Sequence, residues 1–168
     1  MNMAPEAAEF IPGASDPRLL RDALGRFATG VTVITCMTDG GPVGITANSF
    51  ASVSLDPALV LWSIARTSSR FTAFAAAQHF AIHILGEDER DLAARFTRGG
   101  AGFDDLPVTA GQGGAPLIGG TLARFDCALS SAIDGGDHLI LLGHVLGASF
   151  RDGAPLVFAK GHYGGFAA

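Results

Sequence analysis

The chain has 168 residues, 48% of them apolar and 16% charged, with a formal net charge of −5. That length suits one domain, which removes about two-thirds of the unfolded chain's surface from water. The eleven Lys and Arg form no basic run, which argues against a nucleic-acid partner, and no segment reaches the ~18 uninterrupted apolar residues that cross a bilayer.

Residues 1–15 are acidic and have no basic region ahead of an apolar stretch, so they are expected to be a flexible arm and not a signal peptide. A single domain is expected over 16–168, with the cytoplasm as its location. Asp16-Pro17 resembles an N-cap followed by proline at the first helical position. Leu20, Ala23, Leu24 and Phe27 then recur with helical spacing up to Gly30. From Val31 the period becomes two: VTVITCM, the turn TDGGP and VGITANSFASVS predict a hairpin feeding a sheet.

After Leu55-Asp56-Pro57, ALVLWSIA is continuously apolar and is expected to be a strand buried on both sides. Ser68 or Ser69 is placed to cap a helix whose buried stripe is Phe71, Phe74 and Ala75. HFAIHIL reads as a strand. EDERDLAARFTR reads as an amphipathic helix with acids in the first turn and Arg95 and Arg98 near its end. Residues 99–120 hold eight glycines and two prolines, which predicts a long surface excursion without regular structure. LARFDCALSSAI, DGGD and HLILLGHVLGASF predict a second long hairpin, and LVFAKGHYG a last strand. About seven mostly antiparallel strands with three inserted helices favour a β-barrel with peripheral helices over a doubly wound sheet.

The chemistry narrows by elimination. GGPVG and GQGGAP do not match GxGxxG and do not join a strand to a helix, and GxxxxGK[ST] is absent. His79 and His83 lie on a strand-like segment with no HExxH, so they are read as surface or satisfied core histidines and no metal site is expected. Cys36 and Cys127 form no CxxC pair and are read as small core residues. GxSxG is missing, and Asp88/Glu89 and Asp104/Asp105 are read as solvated pairs. His138, in GGDH at a strand mouth, either donates to an anion or packs on a ring.

GITANSFASVS carries Thr46, Asn48, Ser49, Ser52 and Ser54 with no charge. It suits either a solvated strand face or a planar ligand rich in acceptors. RTSSR at 66–70 places two hydroxyls and two guanidinium groups at a helix start, the chemistry that holds phosphate.

In this order the motifs resemble the flavin reductase family, small NAD(P)H-dependent reductases that supply reduced flavin to two-component monooxygenases. The matching pieces are RFATGVTVIT, GITANSFASVSLDPALVLWSI, SSRF, HFAIHIL, LAARF, PLIGGTLARFDCAL, GGDHLILLGHV, and APLVF with GHYGG. The resemblance implies a split β-barrel of Greek-key type, mainly β with peripheral helices, that binds FMN or FAD as a homodimer. It implies that Thr46, Ala47, Asn48 and Ser49 face the flavin ring and ribityl chain, with Ser52, Val53 and Ser54 along the ring edge and Ser63 nearby. Ser68 and Ser69, helped by Arg66 or Arg95, are expected at the phosphate, and Phe103 as a further contact. His138 is expected at the nicotinamide of NADH or NADPH, with His162 and Tyr163 closing over it. The family often has an acidic residue where this chain has His144. Two other readings share the fold or the ligand: an oxidase of the pyridoxamine-phosphate type, and a non-catalytic flavin-binding protein.

Overall fold

The computed structural model describes residues 9–13, 17–99 and 101–166. In chain order the elements are α1 (Pro17–Leu24), β1 (Thr29–Gly30), β2 (Thr32–Thr38), β3 (Gly41–Ala47), β4 (Ala51–Leu55), β5 (Ala58–Ala65) and α2 (Phe71–Ala76). They continue with β6 (His79–Ile84), a 3-10 turn Glu87–Glu89, α3 (Arg90–Arg95), β7 (Val108–Ala110), a 3-10 turn Gln112–Gly114 and β8 (Pro116–Ile118). The chain closes with β9 (Ala123–Gly135), β10 (His138–Phe150), β11 (Leu156–Ala159) and β12 (His162–Gly165).

Seven strands form one antiparallel sheet in the order β3-β2-β6-β9-β10-β5-β4. The two edge strands, β3 and β4, are joined by only three residues, 48–50. Four Cα–Cα steps reach at most about 14 Å. The sheet edges therefore converge at that end, and the sheet curls into a barrel left open between β3 and β4. This is the split barrel the motif order implied. Ser49 stitches the opening: its Oγ donates to the Ser63 carbonyl at 2.9 Å and accepts from the Ser63 N–H at 3.0 Å.

The barrel interior is filled by Ile34, Cys36, Val60, Trp62, Ile64, Phe74, Phe80, Ile82, Cys127 and Leu141. Trp62 meets Phe74 edge-on, with centroids 4.9 Å apart. A Cβ on Gly143 would fall 2.7 Å from Phe80, so glycine is what lets β10 lie against that ring. A second core, Val31, Val33, Leu85, Ala93, Phe96, Ile118 and Leu156, lies on the other face of β2. β2 is central to both, and residues 31–36 are buried throughout. Burial pushes the Cys36 and Cys127 thiols up to about 12, so both are inert core groups as expected.

Several expectations are corrected. The first helix stops at Leu24 and buries none of its residues, and Phe27, beyond its end, is 78% exposed; its apolar stripe borders a cleft instead of covering a core. The expected cap Asp16 lies outside the described residues. VGITANSFASVS is two strands broken at 48–50, and LVFAKGHYG is a hairpin turning at Lys160-Gly161. β5 alternates between buried and half-buried positions, because its second face is not fully covered. The residue preceding α2 is Arg70, not a serine; Ser68 Oγ accepts from the Arg70 N–H at 3.2 Å instead.

The excursion 99–120 is partly ordered: β7 and β8 pair, and Ala115, Pro116, Leu117 and Ile118 are buried. Buried polar side chains fix it. Thr35 Oγ1 donates to the Pro116 carbonyl at 2.5 Å, and His83 Nε2 accepts from the Ile118 N–H at 2.9 Å. His83 Nδ1 lies 2.9 Å from the Val33 carbonyl, which makes it a satisfied, neutral core histidine that burial lowers to about 4. Glu89 is the other exception to the solvated readings, as it is 14% exposed, accepts from the Gly86 N–H at 2.6 Å and faces Arg151.

Candidate active site

Two cavities lie along the open side of the barrel and meet at Asn48 and Phe158, which line both. The smaller, about 210 Å³, is walled by Val31, Ile45, Thr46, Ala47, Arg70, Thr97 and Tyr163. The larger, about 920 Å³, runs under the C-terminal end of α1 past Phe27, Thr29 and Ser49 to the β11–β12 turn. The strand break at 48–50 creates this geometry, since it turns the end of β3 away from β4 and leaves Asn48 on the rim. The lining is largely apolar, with a few polar groups set into it.

The structure brings together part of the expected set. Thr46, Ala47, Asn48 and Ser49 line the cleft, and Tyr163 closes one wall, its ring 5.4 Å from that of Phe158. Thr46 is itself held by α3: its Oγ1 donates to the Ala93 carbonyl at 2.6 Å and its N–H to the Phe96 carbonyl at 3.2 Å. The Asn48 side chain has no hydrogen-bond partner among the described residues. Ser63 serves through its backbone bond to Ser49.

Other expected residues lie elsewhere. Arg66 faces the β9–β10 turn, donating from Nε to the Gly136 carbonyl at 3.0 Å and pairing with Asp134 at 2.9 Å. Arg95 is spent on the carbonyls of Gly102 and Asp104, at 3.3 and 2.7 Å. Phe103 packs on Phe96 in the second core, centroids 4.9 Å apart. Ser52, Val53 and Ser54 occupy the β4 edge, with a register shift at Val53. His138 sits outside both cavities, its Nδ1 2.7 Å from Asp137 Oδ1. His162 is exposed and bonds the Lys160 carbonyl through Nδ1 at 2.8 Å. Ser68 and Ser69 flank Arg70 but do not line either cavity.

The guanidinium that does reach the cleft is Arg70. Its Nη2 donates to the carbonyls of Thr97 and Gly99, while its Nε is covered and has no partner. Desolvation lowers its pKa from the ordinary arginine value, and arginine remains charged at any physiological pH. A second orphaned buried atom, Thr29 Oγ1, belongs to a residue lining the larger cavity. RTSSR contains both Arg66 and Arg70, but the expected phosphate set takes Arg66 and Arg95 and leaves Arg70 out. Thr29, Thr97, Phe158 and Lys160 left no local signal, because each enters the wall from an otherwise ordinary turn or strand end. Among the described residues no group of three His, Cys, Asp or Glu could hold a metal, and no helix is long and apolar enough to cross a membrane.

Residues 24–167 match the model of the flavin reductase like domain. The chain belongs to the flavin reductase family. It is 56% identical over 162 residues to the FMN reductase (NADH) SmoA of Agrobacterium fabrum, covering 96% of this chain and 93% of that one. It is 50% identical over 148 residues to the reductase component of a flavin-dependent trigonelline monooxygenase from Acinetobacter baylyi, covering 87% of this chain but 48% of that longer protein. Among solved structures, the NADH:FAD oxidoreductase SgcE6 of Streptomyces globisporus superimposes with a TM-score of 0.87 at 36% identity, covering 96% and 98% of the two chains. These relatives are reductases, and the oxidase and carrier readings gain no support from them.

Proposed function

We propose that the protein reduces FMN with NADH and releases the reduced flavin to a separate monooxygenase component. The observation that carries this reading is the cleft itself: an apolar slot with an unpartnered cationic donor at one end and an unpartnered amide in the middle. Arg70 Nη1 and the Asn48 amide are polar groups without protein partners among the described residues, and a flavin mononucleotide carries phosphate, ribityl and ring heteroatoms to meet them. The residues fit the group. The choice of FMN and NADH follows the 56%-identical relative.

The bound flavin and nicotinamide would supply the hydride-transfer chemistry between them, so the reacting atoms belong to the cofactors. The chain's task is to bind, orient and exclude water. Arg70 would hold the phosphate by charge-assisted bonds, and Ser68, which lines neither cavity, serves by accepting the Arg70 N–H through its Oγ. Asn48 would hydrogen-bond the bound flavin, and Thr46 and Ala47 would pack against it, held in place by the Thr46 bonds to Ala93 and Phe96. Phe158 and Tyr163 shield the opposite wall. His138, 2.7 Å from Asp137 Oδ1, lies outside both cavities of its own protomer, so a contact with the donor would have to come from a second subunit.

The active form is read as a homodimer. Val53 and Leu55 on the β4 edge are 48% and 96% exposed, and Ile133, Leu146 and Phe150 on the long hairpin are exposed too. An open strand edge beside apolar side chains is a surface that pairing with a second subunit covers. That contact would also bring the His138 end of one protomer near a neighbour. The cytoplasm, where reduced nicotinamide is made, is the proposed location.

The test is steady-state oxidation of NADH and NADPH by the purified protein with FMN, FAD and riboflavin in turn. Saturable NADH oxidation fastest with FMN is expected. No acceleration over protein-free flavin would overturn the proposal.

A further inference from the structure

The larger cavity holds a second cationic end that FMN alone does not explain. FMN carries one phosphate, and Arg70 answers it at the far side of the Asn48–Phe158 junction. At about 920 Å³ the larger cavity is near the upper end of the range for single-ligand sites. Its outer wall carries Arg21 and Lys160, and against them the only lining carboxylate among the described residues is Asp22. Neither cation has an ion-pair or side-chain hydrogen-bond partner among the described residues.

The wall is built as one unit. The Lys160 N–H donates to the Gly25 carbonyl at 2.9 Å, and the Gly25 N–H to the Arg21 carbonyl at 2.8 Å. The carbonyls of Ala23 and Leu24 are taken by Arg26 and Phe27. Three of the last four carbonyls of α1, those of Arg21, Ala23 and Leu24, are thus hydrogen-bonded, and the two side-chain cations stand on the wall that an anion would approach. Lys160 also stands at φ +50°, a left-handed position where glycine is the relaxed choice. A lysine kept there spends backbone energy to present an ammonium group at the cleft mouth.

We infer that Lys160 and Arg21 bind the diphosphate of a dinucleotide, the hydride donor, and so set the affinity for NADH without touching the flavin. This rests on the reductase reading above. The donor then enters from the α1 side, its nicotinamide directed along the larger cavity toward the ring and its diphosphate on the outer wall. The same chemistry is offered by the diphosphate of FAD, and the experiment separates the two sources.

Lys160→Gly is the decisive variant, because it removes the cation while relaxing the turn; Lys160→Arg is the conservative rescue. With FMN as acceptor, Lys160→Gly is expected to raise KM for NADH about tenfold, the loss of one charge-assisted contact, with kcat and KM for FMN unchanged. Lys160→Arg restores the wild-type KM. With reduced nicotinamide mononucleotide, which lacks the diphosphate, wild type and variant are expected to behave alike. An unchanged KM for NADH in an active, folded Lys160→Gly protein overturns the inference and leaves the reductase reading standing. A rise confined to KM for FAD also overturns it and moves the diphosphate to the acceptor. Absence of NADH oxidation in the wild type would sink the reductase reading itself.

Discussion

Replacing Arg70 with Ala should weaken FMN binding about 10- to 70-fold while riboflavin binding changes little. Arg70 spends Nη2 on the Thr97 and Gly99 carbonyls, which fixes the plane of the guanidinium in the wall of the smaller cavity and leaves Nη1 without a protein partner among the described residues. A charge-assisted hydrogen bond contributes roughly 1.5–3 kcal/mol. The outer edge of this group is exposed, so about 1.5–2.5 kcal/mol is the appropriate range, and each 1.4 kcal/mol is a factor of ten. Quenching of flavin fluorescence, titrated at constant ionic strength, gives both dissociation constants. Riboflavin is the control for shape, since it has the same ring and ribityl chain without the phosphate. Arg66→Ala is the control for charge, because its guanidinium is committed to Asp134 and Gly136; it should leave FMN affinity unaltered. Equal losses for FMN and riboflavin in Arg70→Ala would mean that the residue only shapes the cavity. A loss in Arg66→Ala instead would move the phosphate to the β9–β10 turn.

Gly44→Val should lower the urea midpoint by an amount equivalent to about 1–3 kcal/mol, because a Cβ there falls 2.5 Å from the buried Phe96 ring; an unchanged midpoint would show that the second core yields freely. Ser49→Ala should cost about 1 kcal/mol by unstitching residues 48–50 from β5, measured in the same way. His83 is neutral in the fold, with its pKa lowered to about 4, whereas in the unfolded chain it takes up a proton near pH 6.5. The unfolded state thus binds the extra proton between those values, and stability should fall as pH drops from about 6.5 toward 4, by at most about 3 kcal/mol. Urea unfolding of wild type and His83→Gln between pH 7 and 5 checks this; equal slopes would remove His83 as the source. Sedimentation velocity should find a dimer, and Leu55→Asp with Phe150→Asp should shift it toward monomer.

The strands were legible because burial writes a period into the sequence. VTVITCM, ALVLWSIA and the DGGD hairpin each alternate or run apolar over a full strand length and end at turn residues, and all three form strands, although ALVLWSIA is fully buried on one face only. What closes the barrel was not legible. The convergence of β3 and β4 depends on a three-residue connector inside GITANSFASVS, and neither periodicity nor composition marks Asn48-Ser49-Phe50 as a corner. The order within the excursion 99–120 escapes the sequence for a related reason: its glycines do break regular structure, but Thr35 and His83 reach out of β2 and β6 to bind its backbone. A buried Thr or His within an apolar strand is the signal that something polar packs above it.

The same limit decides which arginine serves the site. Arg66 and Arg70 are four residues apart in one motif, yet the Arg66 N–H still donates to the Asp137 carbonyl as an extension of the β5–β10 ladder, which directs its side chain toward the hairpin turn. By Arg70 the chain has turned at Ser68 and stands at the start of α2, facing residues 97–99. One turn separates a cation paired within the hairpin from one that lines a cavity. The first helix makes the complementary point, since Leu24 and Phe27 repeat as a core stripe would but stand at a cavity. Amphipathic spacing specifies that a face avoids water; it does not specify whether the cover is the chain's own core, a second subunit or a ligand. In a protein whose substrates are flat aromatic rings, an apolar stripe without a protein cover is therefore a place to look for the site.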